Sequence, residues 1–317
     1  MHHMTHKQFA DAQEANLGFA IQQTSHIEAE VYRIQYPDLD YASMVPVDMG
    51  AGEFVKSVTY FSMDRVGEAS WINGNASDIP VVGVSMEKHE TEVRTAAIGY
   101  DFGFEEINQA RMLGISLDTE KAAVARRACE QLVYDVCFLG DASVGYEGLF
   151  DYTGVPTEAI PADGSGSSAL WSAKTPDLII RDVNKVLTGL YSATNTVSMA
   201  DTLILPVERF QTIASTRLTD TSMTVLEFIR QNNVYTAMTG QPLMIRGMRG
   251  LTQKGAGSTA RMIAYRRSPE VLKLHMPMPH RFLPVQVVGL QYKVPGVFRL
   301  GGLDIRLPKE VRYGDGI

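Results

Sequence analysis

Two stretches of this chain alternate in polarity with a period of two, and they constrain the fold more than any other feature. Within Glu53 to Phe104, Val58, Tyr60 and Ser62 fall on one side of an extended strand. Thr59, Phe61 and Met63 fall on the other. The run Val81 to Thr95 keeps the rhythm, but Glu87, Lys88, Glu90, Glu92 and Arg94 crowd its middle. Asn73-Gly74-Asn75 tolerates positive φ and predicts two long antiparallel strands joined at Trp71 to Asp78. So charged a ribbon cannot be a core strand pair, and two strands alone are marginal in water. It is expected to lie against a neighbour.

The segment before it, residues 1–50, is polar and weakly periodic, with a short helix expected near Asp11 to Gln23 and extended chain through Tyr36-Pro37. It buries little of itself. Free termini fray, so this arm is expected to be held by another protein surface, such as another copy. After the ribbon, Asp118 is a favoured helix N-cap and Gly140 a stop. The helix between them, 119–139, is about 32 Å long. Its expected apolar face is Ala122, Ala125, Cys129, Leu132, Val133, Val136 and Cys137, widened by Val124, Ala128 and Leu139. It reads as the spine of a domain.

Pro161 to Ser168 is the most linker-like passage. Thr175-Pro176-Asp177 opens a second helix through Leu190. Asp201 to Pro206 reads as a buried strand, followed by helices at Val207 to Ala214 and around Val225 to Asn232. The segment 151–274 is therefore expected to be a compact α/β unit. Val287 to Val294 and Val297 to Leu307 read as strands, and Val311-Arg-Tyr closes the pattern. Their apolar faces need the spine helix as cover, which brings the tail back onto the first domain.

Composition narrows the function. The 317 residues carry 29 Lys+Arg against 36 Asp+Glu, a net charge of −7, which does not suit a bulk phosphate clamp. Two cysteines, Cys129 and Cys137, are too far apart along one helix for a disulfide and read as reduced apolar packers. No apolar run reaches the roughly 20 residues of a membrane span, and no signal peptide is visible, so a cytoplasmic product is expected. His2, His3 and His6 lack the supporting ligand spacing of a metal site. His26, His89, His275 and His280 are scattered, without a partnered Ser or Asp motif. Gly255 to Thr259 lacks the Lys-Ser/Thr ending of a phosphate loop. Gly164 to Ser168 lacks the strand–turn–helix frame of a nucleophile elbow. Arg246, Arg249, Lys254, Arg261, Arg266 and Arg267 read better as loop cations paired with acids than as a phosphate site. No catalytic, cofactor or metal residue is expected. Limbs that cannot bury themselves imply other chains: this is the sequence of a subunit.

Several passages, in their order, resemble the major capsid proteins of tailed bacteriophages with the Hong Kong ninety-seven fold. They are Val31 to Leu39 with its Tyr-Pro-Asp-Leu, Val58-Thr-Tyr60, Asp64 to Gly67, and the spine Asp118 to Gly140 with Asp141 and Gly148-Leu149. Lys174 to Asp177, Leu203 to Pro206, Ile213 to Thr216, Ala264 to Glu270, Gly301-Gly302 and Tyr313 to Ile317 continue the likeness. The resemblance implies an α+β fold with an N-terminal arm (1–50) and an extended β-ribbon loop (51–100). It also implies a peripheral domain (101–150 and 275–317) and an axial domain (151–274). It implies self-assembly through pentamers and hexamers into an icosahedral shell around double-stranded DNA, with extended loops lying over neighbouring subunits. Scaffolding, portal and decoration proteins are the further partners it suggests, and no cofactor. Some relatives cross-link a Lys to an Asn. Lys56 and Lys88 lie on the ribbon, but no partner matches, and the bond is not expected. The rival readings are an encapsulin-type nanocompartment shell, a soluble α/β enzyme with a dispersed site, and a tail or connector protein.

Overall fold

A computed structural model describes residues 39–66, 83–103, 105–106, 117–219 and 221–317. The arm as far as residue 38, with its expected helix, and the turn at Asn73-Gly74-Asn75 lie outside the described residues.

The ribbon forms as its alternation requires. After a short strand β1 (Val47–Asp48), β2 (Ser57–Val66) and β3 (Gly83–Glu92) pair antiparallel, from Ser57 opposite Glu92 to Val66 opposite Gly83. Directly opposed residues share a face. Val58 with Thr91 and Tyr60 with His89 therefore lie on one side, and Phe61 with Lys88 and Met63 with Met86 on the other. Strands β4 (Arg94–Ala97) and β5 (Tyr100–Gly103) carry the chain into the body.

The spine helix α1 spans Leu117–Phe138. Asp118 thus lies within the helix, not at the cap where the sequence suggests it. Ala125, Cys129, Val133, Val136 and Cys137 are buried, as their spacing demands, and Phe138 joins them. The face is narrower than expected: Val124, Ala128, Leu132 and Leu139 are exposed. Gly140 stops the helix at φ +77°, and a Cβ there would stand 2.6 Å from the Tyr146 carbonyl oxygen. Gly140→Ala is therefore expected to cost about 1–2 kcal/mol from the left-handed backbone alone, read as a lower urea midpoint.

A hairpin of β6 (Gly140–Asp141) and β7 (Tyr146–Glu147) follows, then β8 (Thr157–Ala159), α2 (Pro176–Ala193), β9 (Thr202–Pro206), α3 (Val207–Ser215) and α4 (Val225–Gln231). These last four lie where the helix–strand–helix reading places them. The chain continues through α5 (Val234–Thr239), β10 (Met244–Met248), β11 (Arg261–Tyr265), β12 (Leu272–His275) and β13 (Met278–Phe282). The strand expected over Val287 to Val294 is instead a hairpin, β14 (Gln286–Val288) and β15 (Gln291–Val294). Gly289 at φ +63° allows the reversal. The strand expected over Val297 to Leu307 breaks at Gly301-Gly302 into β16 (Gly296–Leu300) and β17 (Leu303–Ile305), which join different sheets. The last strand is β18 (Val311–Asp315).

The largest sheet has the order β10-β9-β11-β18-β8. Strand β10 runs parallel to β9 and β18 parallel to β8, while β11 is antiparallel to both its neighbours. Alternation along its strands builds a core on each side. Ile204, Ile263, Tyr265, Val311 and Tyr313 face a core shared with Cys129, Val133, Val136 and Phe138 of the spine helix. Leu203, Leu205, Met262 and Ala264 face a second core with Ile179, Val183, Val186 and Leu190 of α2. Each such Leu, Ile or Val side chain contributes about 1.5–3 kcal/mol by leaving water. The tail does pack against the spine helix, through Phe298, Leu300, Leu303 and Ile305. It also supplies β18 to the sheet formed by the middle of the chain.

Candidate functional site

The described end of the arm is held by its own chain, contrary to the expectation for residues 1–50. Met44 and Val45 are buried in the spine-helix core, and Val47 and Asp48 pair with Leu274 and His275. Tyr265 donates its hydroxyl to the Met44 carbonyl at 2.9 Å, Arg267 donates to the Ala42 carbonyl at 2.9 Å, and Lys273 bridges to Asp48 at 2.5 Å. The contact with Lys273 holds the Asp48 carboxyl below the usual range, helped by the Gly50 N–H.

Of the scattered histidines, His275 is buried between two carboxylates, 3.6 Å from Asp48 and 3.4 Å from Asp304, which Lys273 and Arg306 already neutralise. His280 packs edge-on against Phe282. His89 stacks on Tyr60 at 4.8 Å and contacts the Ser62 hydroxyl at 3.0 Å. His2, His3, His6 and His26 lie outside the described residues. Among the described residues no three metal-ligating side chains converge.

The arginine-rich passage divides. Arg261 forms a buried two-pronged pair with Asp315, Nε to Oδ1 at 2.7 Å and Nη2 to Oδ2 at 2.9 Å, and donates to the Phe150 carbonyl at 2.9 Å. Arg266 pairs with Glu310 at 2.5 Å. Arg246, Arg249 and Lys254 have no carboxylate within ion-pair distance among the described residues. The loop Gly255 to Thr259 is closed by Gly255 N–H to the Thr259 carbonyl, and its Ala256 N–H caps Asp315. It serves the Arg261 pair.

The passage Pro161 to Ser168 is not a linker. Gly164 N–H reaches the Ser168 carbonyl and Ser165 N–H the Ala173 carbonyl. Lys174, its side chain fully buried, donates to the Pro161 carbonyl at 2.7 Å and to Asp182 at 2.6 Å, with Asp163 at 3.2 Å. Arg181 beside Asp163 holds that carboxyl down to about 2, with Lys174 assisting.

A cleft of about 380 Å³ at the root of the ribbon is lined by Glu90, Glu92, Arg94, Tyr146, Glu147 and Tyr152. Its carboxylates are occupied: Glu90 by Lys88 and Ser57, Glu92 by Arg94, Glu147 by Thr153. The Lys88 bond keeps Glu90 below its ordinary value, the direction opposite to that of a general acid.

The buried thiols and phenols set an alkaline limit. Burial, then Glu130, pushes Cys129 up to about 11; burial alone raises Cys137. Burial raises Tyr60 to about 12, with Asp304 nearby, and raises Tyr265 and Tyr313 as well. A raised folded value means the native state keeps protons that the unfolded chain has lost. Their contribution is complete below the ordinary 9.0 for a thiol and 10.0 for a phenol, and is lost as pH rises through the folded values. The urea midpoint is expected to hold at pH 7–8 and to fall steadily above about 9. Iodoacetamide at pH 8 should leave both cysteines unmodified until urea is added.

What the described surface does offer is apolar area that the chain leaves open. Phe61, Met63 and Met86 stand on the ribbon, Val285, Val287, Val288 and Leu290 on the β14–β15 hairpin, and Val124 and Leu132 on the spine helix. Solvated side chains of this size in groups mark contact surfaces.

Ribbon, spine helix and two-sided central sheet together form the Hong Kong ninety-seven type of capsid fold. The fold of the capsid of Myoviridae Phage XM1 matches over 93% of this chain and 98% of its own, with TM-score 0.76 at 19% identity. The capsid of the native GTA particle matches over 93% and 95%, with TM-score 0.64 at 8% identity. A virus-like particle from Pyrococcus furiosus matches over 87% and 92%, with TM-score 0.50 at 13% identity. None of the curated proteins matches the chain. The family model described as Major capsid protein matches residues 67–317, and the chain belongs to that family. It is a shell-forming subunit, and its place is the capsid.

Proposed function

We propose that this subunit assembles through pentamers and hexamers into an icosahedral shell that encloses the double-stranded DNA of a tailed phage or prophage. Assembly takes place in the bacterial cytoplasm, without catalysis by the chain. Scaffolding, portal and decoration proteins are its further partners. Residues 151–274 form the axial domain around the capsomer centre, residues 101–150 and 275–317 the peripheral domain, and residues 51–100 the extended loop. The observation that carries this reading is the family match across most of the chain, on a body whose apolar outer faces are left open. A net charge of −7 fits a container whose wall does not grip packed phosphates.

The test is expression of the chain alone and with its neighbouring genes, followed by light scattering and negative-stain microscopy. Closed shells filled with DNA are the expected product when the packaging genes are present. A lone monomer, or a ring or tube of fixed symmetry, overturns the reading. Shells filled with a protein cargo and no DNA turn it to a nanocompartment.

A further inference from the structure

We infer that the ribbon docks on a second copy of the chain through one face only, the one carrying Phe61, Met63 and Met86. The inference rests on the shell-subunit reading and adds which side of the ribbon makes the contact.

Strand alternation gives the ribbon two faces with unlike fates. On the first, Val58, Tyr60, Ser62, His89 and Thr91 are partly covered, while Glu87 and Ser85 further out are open and polar. Arg306, next to β17, lies over the Tyr60 ring at 4.6 Å, and His89 stacks on the same tyrosine. At Tyr60 that side faces the chain's own body, and it carries no large open apolar side chain among the described residues. On the second, Thr59, Phe61 and Met63 on β2 and Met86, Lys88, Glu90 and Glu92 on β3 are open, and Ser57 at the root is partly covered. Met63 sits directly across from Met86, and Phe61 across from Lys88, so three large apolar side chains form one continuous patch. Lys88 and Glu90 pair with each other at 2.8 Å beside it, the polar rim expected around an apolar centre.

The size fits one contact among several. Ten residues per strand make the ribbon about 34 Å long, and two strands side by side are about 10 Å wide. One face then offers roughly 300 Å², over a third of the about 800 Å² that each partner gives to an ordinary interface. A surface this small does not hold a foreign partner alone. It does suit a shell subunit, whose other surfaces meet further copies.

Hydroxyl-radical footprinting of the free subunit and of assembled shells tests the assignment. Met63 and Met86 should oxidise readily in the free subunit and about tenfold more slowly in shells. The triple variant Phe61→Ser, Met63→Ser, Met86→Ser should keep the circular dichroism of the parent and need about tenfold more protein to assemble. Equal oxidation in both states overturns the inference, as does protection already complete in the free subunit, or unimpaired assembly of the triple variant. If no shell forms from the parent chain, the shell reading falls first and this one with it. If shells form with both methionines reactive, this one falls alone.

Discussion

Arg261→Ala is expected to lower the unfolding free energy of the subunit by about 3–5 kcal/mol, the cost of leaving one buried charge without its partner. Arg261 and Asp315 are 7% and 5% exposed, so water cannot take over the lost contacts. The guanidinium makes two bonds to the carboxylate and a third to the Phe150 carbonyl, and lies 4.3 Å over the Tyr313 ring. Without it, the Asp315 carboxylate keeps only the Ala256 N–H. Asp315→Ala should cost a similar amount, and Arg261→Met with Asp315→Leu less than the sum, because removing both partners removes the stranded charge. Urea midpoints of the three variants decide it. A loss below about 1 kcal/mol for Arg261→Ala, typical of solvent-exposed pairs, would show that the pair is not sealed from water.

Lys174→Met is expected to cost about 3 kcal/mol, at the lower end for a broken buried pair because Arg181 still reaches Asp182. Lys174 and Asp182 side chains are both fully buried. The lysine also gathers the Pro161 carbonyl and Asp163, so its loss releases the loop that crosses in front of α2. Two measurements should move together: a lower urea midpoint and new proteolytic cleavage between Pro161 and Leu170. A lower midpoint without cleavage would mean that Trp171, buried just before the lysine, anchors the loop unaided.

The ribbon and the spine helix were legible because their signals are local and long. A ten-residue strand rich in β-branched and aromatic residues with a largely two-residue rhythm, or the buried stripe Ala125, Cys129, Val133 and Val136, is long enough to outweigh chance. The width of the helix face was not legible, since Val124 and Leu132 are as apolar as their buried neighbours and only the third dimension leaves them uncovered. Strands β10 and β11 are five residues long and carry Arg246 and Arg261, so they show no clean period. The described end of the arm, from residue 39, was misjudged for a different reason. Tyr265, which holds Met44, is 221 residues further along, and no local pattern reports such a partner. The linker reading of Pro161 to Ser168 failed similarly, because composition shows flexible residues but not the buried lysine that ties them down.

The position of β18 has a consequence for how the molecule is made. It lies between β11 and β8, so neither the sheet nor either of its cores can close until residue 315 has left the ribosome. At roughly 5–20 residues per second, nascent chains in a crowded polysome wait unfinished while their exposed ribbons could already meet. Because the keystone is the last strand of its sheet in chain order, completion of each brick is a precondition for joining it to the next.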